Sequence, residues 1–256
     1  MVCGKIIPAS TVTIEIDPAT KRMIRKGVAH ELDPAAASAV EEALRLMEKV
    51  GGTVTLVTMG FNEITIGVRT ALAMGATSAV HIFDDAMAGS DTLATAKALA
   101  AAIRKNPFDL IICGTESSDS YSGIVPGQIA WLLGVPPVTF ANEMSVEGNT
   151  LTVKRQSEAG YDVVEADLPA LVTVTSGINE PRYPQLRGIM AAKRKEIVQY
   201  SAADLGLAAD DVGEAGARER VLEVGRPAQR EAGEVVEDEG EGGKRIADFL
   251  AESKVI

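Results

Sequence analysis

The sequence predicts an α/β protein built on a doubly wound, mostly parallel sheet of the Rossmann-like kind. Three observations carry this. Over residues 1–135, short β-branched runs alternate with longer alanine-rich stretches of helical periodicity. The run 53–58 (TVTLVT) is uninterrupted by charge and reads as a buried-type strand, and 109–113 (DLIIC) as another, as strands covered on both faces do. From about 138 to 167 the rhythm changes to strand-like segments separated by tight turns, which predicts an antiparallel insertion.

In chain order, 2–7 (VCGKII) reads as the first strand, and 11–16 with 22–25 as a hairpin excursion around Asp17 and Pro18. The first helix starts at Asp33 and Pro34, an acidic N-cap followed by proline at the first helical position. Ala39, Val40, Ala43, Leu44 and Met47 form its apolar stripe, and Gly51 and Gly52 end it. Strand 53–58, helix 62–74, strand 79–83, helix 91–105, strand 109–113 and helix 124–133 follow. Segments 138–146, 150–156 and 162–166 make the insertion, and 171–175 returns to a buried strand. Beyond 204 the chain becomes acidic and rich in Gly and Ala. Residues 205–243 read as an extended arm, and 244–252 as an amphipathic helix bearing Ile246, Phe249 and Leu250.

Composition excludes several functions. With 36 acidic against 25 basic residues and a net charge of −11, a broad nucleic-acid surface is disfavoured, and 4% aromatics leave little for base stacking. Cys3 and Cys113 make no disulfide framework, and with His30 and His81 as the two histidines a metal site has little to draw on. No apolar run reaches membrane-spanning length and no charged leader is visible, so the expectation is a soluble, cytoplasmic protein.

The stretch after the 109–113 strand is the most informative: Gly114, Thr115, Glu116, Ser117, Ser118, Asp119, Ser120, Tyr121, Ser122 and Gly123, then Ile124 and Val125 opening a helix. In a doubly wound sheet, ligands sit beyond the carboxyl ends of strands, at such loops. Free N–H groups near Gly123, Ile124 and Val125 would face an anion with help from the helix dipole. An ordinary polar connection with capping serines is the competing reading. The loop is neither GxxxxGK[ST] nor GxGxxG, and its serines lack the glycine pair of pyrophosphatase-type loops. Cys3 is a candidate for lining, with Lys5 on its face of the strand by alternation. Both histidines read as structural, and no nucleophile–base constellation presents itself. The chain reads as a binder, not a hydrolase.

At 153–197 the residues become specific. VKRQSEAGYDVVEADLPALVTVTSGINEPRYPQLRGIMAAKRKEI, with LPA at 168–170, NEPRY at 179–183 and IMxAK at 189–193, resembles the signature of the electron transfer flavoprotein β subunit. VEEA at 40–43 and RTALAMGA at 69–76 extend the resemblance over essentially the whole chain. It implies an obligate partnership with an α subunit that holds most of the redox FAD. It also implies electron shuttling from flavin-linked dehydrogenases to an acceptor oxidoreductase. In this family the β subunit carries its own adenine nucleotide, a structural AMP in most members and a second FAD in electron-bifurcating ones. Position by position, the resemblance puts that nucleotide at Cys3, at Asp33, Pro34, Ala35 and Ala36, at Met59, and along Gly114 to Val125. The family's partner-recognition loop falls on 183–192, with Tyr183, Pro184, Gln185, Arg187, Gly188, Ile189 and Met190 around an anchor at Leu186. The basic run 193–195 beside it is a candidate for steering acidic partners. The nucleotide-binding domain is then 1–204, and 205–256 is an arm that docks on the α subunit.

Departures are also visible. Tyr121 replaces an acid of the family loop, Pro126 and Gly127 invert its usual order, and Gln156 and Ser10 stand where some members carry a glutamate and a tyrosine near the flavin. A stand-alone, stress-protein-type ATP-binding regulator would account for the first half of the chain but leaves 179–193 unexplained.

Overall fold

The apolar runs do form one sheet. A computed structural model describes residues 1–225, 228, 233, 235 and 237–256, which divide into two compact units, Met1–Val221 and Leu222–Ile256. In the first unit, β1 (Val2–Cys3), β2 (Ile6–Pro8) and β3 (His30–Leu32) precede α1 (Pro34–Val50). Then come β4 (Thr55–Met59), α2 (Thr65–Met74, entered through a 3-10 turn), β5 (Ser78–Ile82), α3 (Thr92–Arg104), β6 (Leu110–Gly114) and α4 (Val125–Leu133). β7 (Pro137–Glu147), β8 (Thr150–Ser157), β9 (Gly160–Asp167) and β10 (Ala170–Val174) follow. The unit closes with α5 (Leu186–Ala192), β11 (Ile197–Tyr200) and a single helical turn, α6 (Gly213–Gly216). The main sheet has nine strands in the order β11-β5-β4-β1-β6-β10-β7-β8-β9. Every pairing from β11 to β7 is parallel, and β7-β8 and β8-β9 are antiparallel.

Period-two alternation winds the sheet on both faces. Leu56 of β4 and Ile112 of β6 face α1 and α2, packing with Val40, Leu44 and Leu72. Their neighbours Val57 and Ile111 face α3 and α4, packing with Leu99, Ile103 and Ile129. Burying each large aliphatic side chain contributes about 1.5–3 kcal/mol. Asp33 caps α1 as expected, its Oδ1 accepting from Ala35 N at 2.8 Å.

Several expectations are corrected. The first strand breaks after Cys3. Gly4 N still donates to Val57 O, but Lys5 O turns away to accept from Asp33 N, and β2 pairs instead with β3 in a separate two-stranded ribbon. The hairpin at 11–25 shrinks to one bridge, Ile16 to Met23. The antiparallel segment continues the main sheet at its edge, because β7 runs parallel beside β10 before the chain turns back. Residues 186–192 are helix, not loop. Segment 205–221, grouped with the arm by composition, puts Leu205 and Val212 into the core of the first unit. In the second unit α7 (Gly242–Glu252) has exposed Ile246 and Phe249. Positions 226, 227, 229–232, 234 and 236 of the expected arm lie outside the described residues.

Candidate functional site

The strand order reverses around β1, which pairs with β4 on one side and β6 on the other, and a doubly wound sheet opens a crevice at that reversal. A cavity of about 470 Å³ lies there, within the size range of small-molecule sites. Cys3, Asp33, Ala35, Ala36, Met59, Gly114, Glu116, Ser117, Ser120, Ser122, Gly123 and Val125 all line it. Four separate stretches of sequence thus converge on one space. Pro34, Thr115, Ser118 and Tyr121 instead line a wider cleft of about 920 Å³, which shares Asp33, Ala35 and Glu116 as its wall and is completed by Phe140, Arg155 and Gln156. Asp119 and Ile124 line neither: Asp119 is buried behind the loop, and Ile124 is exposed at the start of α4.

Two buried carboxylates fix the loop. Asp33 is 1% exposed, and its Oδ2 accepts from both the N and the Oγ of Ser118 at 2.8 Å. One side chain therefore starts α1 and ties down the 114–124 loop. Asp119 Oδ1 pairs with Lys5 Nζ at 2.6 Å and Oδ2 with Arg25 Nη2 at 2.7 Å. Burial alone would raise the Asp119 carboxyl, but Lys5 and Arg25 outweigh it and hold it down to about 2. Burial pushes the Lys5 ammonium down, with Asp119 pulling it back up. Lys5 shares the cavity with Cys3, though through the break in the strand and not by alternation.

Glycine at 114 is a packing requirement. A Cβ there would stand 2.6 Å from Ala35 Cβ and 2.9 Å from the Ala35 carbonyl carbon, so only glycine lets β6 approach the first turn of α1. Ile124, the N-cap of α4, offers no side-chain acceptor, and Pro126 has no N–H, so Val125 N–H is the first-turn donor at the cavity rim. Gln128 Oε1 is buried with no partner, while its Nε2 reaches Thr92, another lining residue.

Some lining residues carried no signal at the level of sequence. Arg25 arrives from the irregular excursion, and Glu219 from a segment read as arm. Asp91 was legible as a helix start, and its Oδ1 does cap α3 at Ala94 N. Its Oδ2 also accepts from Arg218 N and Glu219 N, bringing 217–220 back over the cavity. Burial raises the Asp91 carboxyl less than these N–H donors lower it. His81 is structural: its Nε2 sits 3.1 Å from Gly60 O, and burial keeps its pKa below the ordinary value.

The 183–192 segment lies elsewhere. Tyr183 is 93% and Leu186 76% exposed, with Ile189 and Met190 also exposed, so these side chains form an apolar tip open to solvent. Its base is clamped to α1. Arg182 donates through Nε to Glu41 Oε2 at 2.7 Å and through Nη1 to Glu48 at 2.6 Å, across a sequence separation of 141 for the first pair. Asn179 Nδ2 reaches Ser38 O and Glu42. Burial alone would raise the Glu41 carboxyl; its bonds from Arg182 and Arg45 bring it below the ordinary value. A Cβ on Gly188 would strike the Ala73 carbonyl oxygen, so glycine lets α5 lie against α2. Of the basic run, Lys193 and Arg194 are exposed, but Lys195 turns in, donating to Leu72 O and Ala76 O at the C-terminal end of α2.

Fold and site together define a doubly wound α/β protein with a crevice of mixed polar and apolar lining at the strand reversal and a separate apolar tip. Known proteins give that class a family. Residues 20–205 match the electron transfer flavoprotein domain. The chain is 43% identical over 231 residues to the electron transfer flavoprotein subunit beta of Mycobacterium tuberculosis, covering 88% of this chain and 87% of that one. The subunit beta of Megasphaera elsdenii is 39% identical, with 100% and 97% covered. Subunit CarD of the caffeyl-CoA reductase-Etf complex of Acetobacterium woodii is 37% identical, with 92% and 90% covered. The chain belongs to the electron transfer flavoprotein β-subunit family.

Among the described residues no His, Cys, Asp and Glu group is arranged to hold a metal, and no helix is long and apolar enough to cross a membrane.

Proposed function

We propose that this chain is the β subunit of a two-chain electron carrier, holding AMP in the 470 Å³ cavity and sharing an FAD with an α-type partner. What supports the nucleotide assignment is the convergence of Cys3, of Asp33, Ala35 and Ala36, of Met59, and of Gly114, Glu116, Ser117, Ser120, Ser122, Gly123 and Val125 on one cavity at the strand reversal. The residues present suit a nucleotide: hydroxyls from Ser117, Ser120 and Thr92, the Val125 N–H at the start of α4, the Asp119-paired cations Lys5 and Arg25, and apolar walls from Met59 and Leu99. The FAD, when bound with the partner, supplies the redox chemistry. This chain's share is to hold the nucleotide, exclude water from it, and present the tip around Leu186 to flavin-linked dehydrogenases. An apolar side chain seated in a partner's pocket grips without a large interface, which suits a carrier that must release and find an acceptor oxidoreductase. The free cysteines support a cytoplasmic location.

Acid extraction of the purified two-chain complex followed by chromatography tests the cofactor assignment. AMP and FAD in equal amounts is the expected result. FAD at twice the amount, with no AMP, would move the chain to the electron-bifurcating reading, in which a second FAD replaces AMP. ATP on a β chain that never associates with an α-type chain would overturn both.

A further inference from the structure

Cys3 and Cys113 stand opposite each other. They are register partners on the adjacent parallel strands β1 and β6, so their side chains leave the same face of the sheet. Neighbouring strands lie about 4.8 Å apart, inside the Cα–Cα span of about 4.4–6.8 Å that a disulfide bridges. Both line the nucleotide cavity, yet unequally: Cys113 is 3% exposed, while Cys3 is half-buried. β1 ends at Cys3 and β6 one residue after Cys113, so both thiols sit at strand ends and not within a long ladder. A hydrogen bond with Cys3, and burial, push the Cys113 thiol well above its ordinary value, which leaves Cys3 as the thiol to react first.

We propose that Cys3 and Cys113 are a paired-thiol site, which an oxidant of the hydroperoxide class reaches through the nucleotide cavity and closes into an intrachain disulfide. In the first step the Cys3 thiolate attacks the peroxide. An S–O bond forms, the O–O bond breaks, and the leaving alkoxide takes a proton to depart as alcohol, leaving Cys3 as sulfenic acid. In the second, the Cys113 sulfur attacks the Cys3 sulfur. The S–S bond forms, the S–O bond breaks, and hydroxide leaves as water with the Cys113 proton. The two thiols lose two electrons and two protons in all, and the peroxide accepts them. The bridge pins together the ends of β1 and β6, both walls of the cavity, and a nucleotide seated there blocks the oxidant. The thiol pairing stands on the register alone; the blocking rests on the proposed nucleotide assignment.

The full-length chain is treated with hydrogen peroxide, quenched with N-ethylmaleimide and digested without reductant, with and without AMP whose binding is measured calorimetrically on the same sample. The expected result is a Cys3–Cys113 linked peptide from monomeric protein, reversed by dithiothreitol, forming at least tenfold more slowly when AMP is bound. In Cys113→Ser, dimedone should trap Cys3 as sulfenic acid. Recovery of Cys113 as its N-ethylmaleimide adduct while Cys3 is oxidised further overturns the pairing, as does recovery of both thiols unreacted. Bound AMP without protection overturns the route through the cavity. If AMP does not bind but the linked peptide forms, the pairing is upheld and the AMP assignment fails.

Discussion

The loop at 114–124 and the segment at 183–192 take their anchorage from the same helix. Asp33, at the start of α1, accepts from Ser118; Glu41, two turns along, accepts from Arg182. The first clamp uses neutral donors and holds the loop along the wall of a cavity that Lys5 and Arg25, both paired with Asp119, also line. The second uses a charge pair at the base and leaves the apolar side chains standing in solvent. The difference matches the two tasks proposed for them: an enclosed cavity suits a ligand that stays bound, whereas exposed apolar side chains on a clamped base suit transient docking. Because one helix supports both, disturbing a clamp and disturbing a tip should have opposite signatures.

The largest loss is expected at the second clamp. Arg182→Ala leaves Glu41, 3% exposed, with Arg45 as its remaining side-chain cation, and should destabilise the protein by about 3 kcal/mol. The midpoint of urea unfolding reads this, and a shift below about 1 kcal/mol would show the pair to be dispensable. Asp33→Ala should come next, at about 2 kcal/mol, combining a lost N-cap with an unpaired Ser118 N–H. Its distinguishing signature is faster loss of nucleotide on gel filtration, which Arg182→Ala should not share.

Acid sharpens the same contrast. Asp119 has its carboxyl depressed from 3.8 to about 2, so its pairing stabilises the fold fully above 3.8 and that contribution is lost as pH falls from there through about 2. A shift of this size corresponds to about 2 kcal/mol. Asp119→Asn should therefore lie below the unsubstituted protein in stability at pH 6 and converge with it near pH 2. Parallel stability curves over that range would assign the stabilisation to something other than the ionised pair.

Much of this was legible in the sequence because local chemistry and tertiary position agreed. The strands around 55–59 and 110–114 are apolar on both faces since helices cover both, and Asp33 with Pro34 announces α1 wherever that helix packs. The misses share a cause. β3 and β11 are three and four residues long and owe their extended form to pairing with β2 and β5, which local pattern does not encode. Nor does local pattern show the close packing at Gly4, where the first strand ends and a Cβ would meet Leu56 Cδ1 at 2.9 Å. Arg25 and Glu219 reach the cavity through long-range placement of irregular segments. NEPRY was recognisable as a motif, but that its arginine is a clamp on Glu41 appears only once residues 141 apart in sequence are brought together.

The smallest effect on stability should come from the residue with the largest proposed effect on function. Leu186 is the first residue of α5 and 76% exposed, so truncating it removes almost no buried surface. Leu186→Ala should change unfolding free energy by less than about 0.5 kcal/mol and leave nucleotide content intact. If the tip seats in a dehydrogenase pocket, losing three of its four side-chain carbons there should cost about 2–3 kcal/mol of docking, at about 0.8 kcal/mol per buried carbon. That corresponds to a rise in KM for the carrier of roughly thirtyfold or more, with kcat at saturation little changed. Arg182→Ala should raise KM too, but only together with its loss of stability. Unchanged KM in Leu186→Ala against every dehydrogenase that reduces the parent protein would remove the tip from docking and leave Tyr183, 93% exposed on the same segment, to be tested in its place.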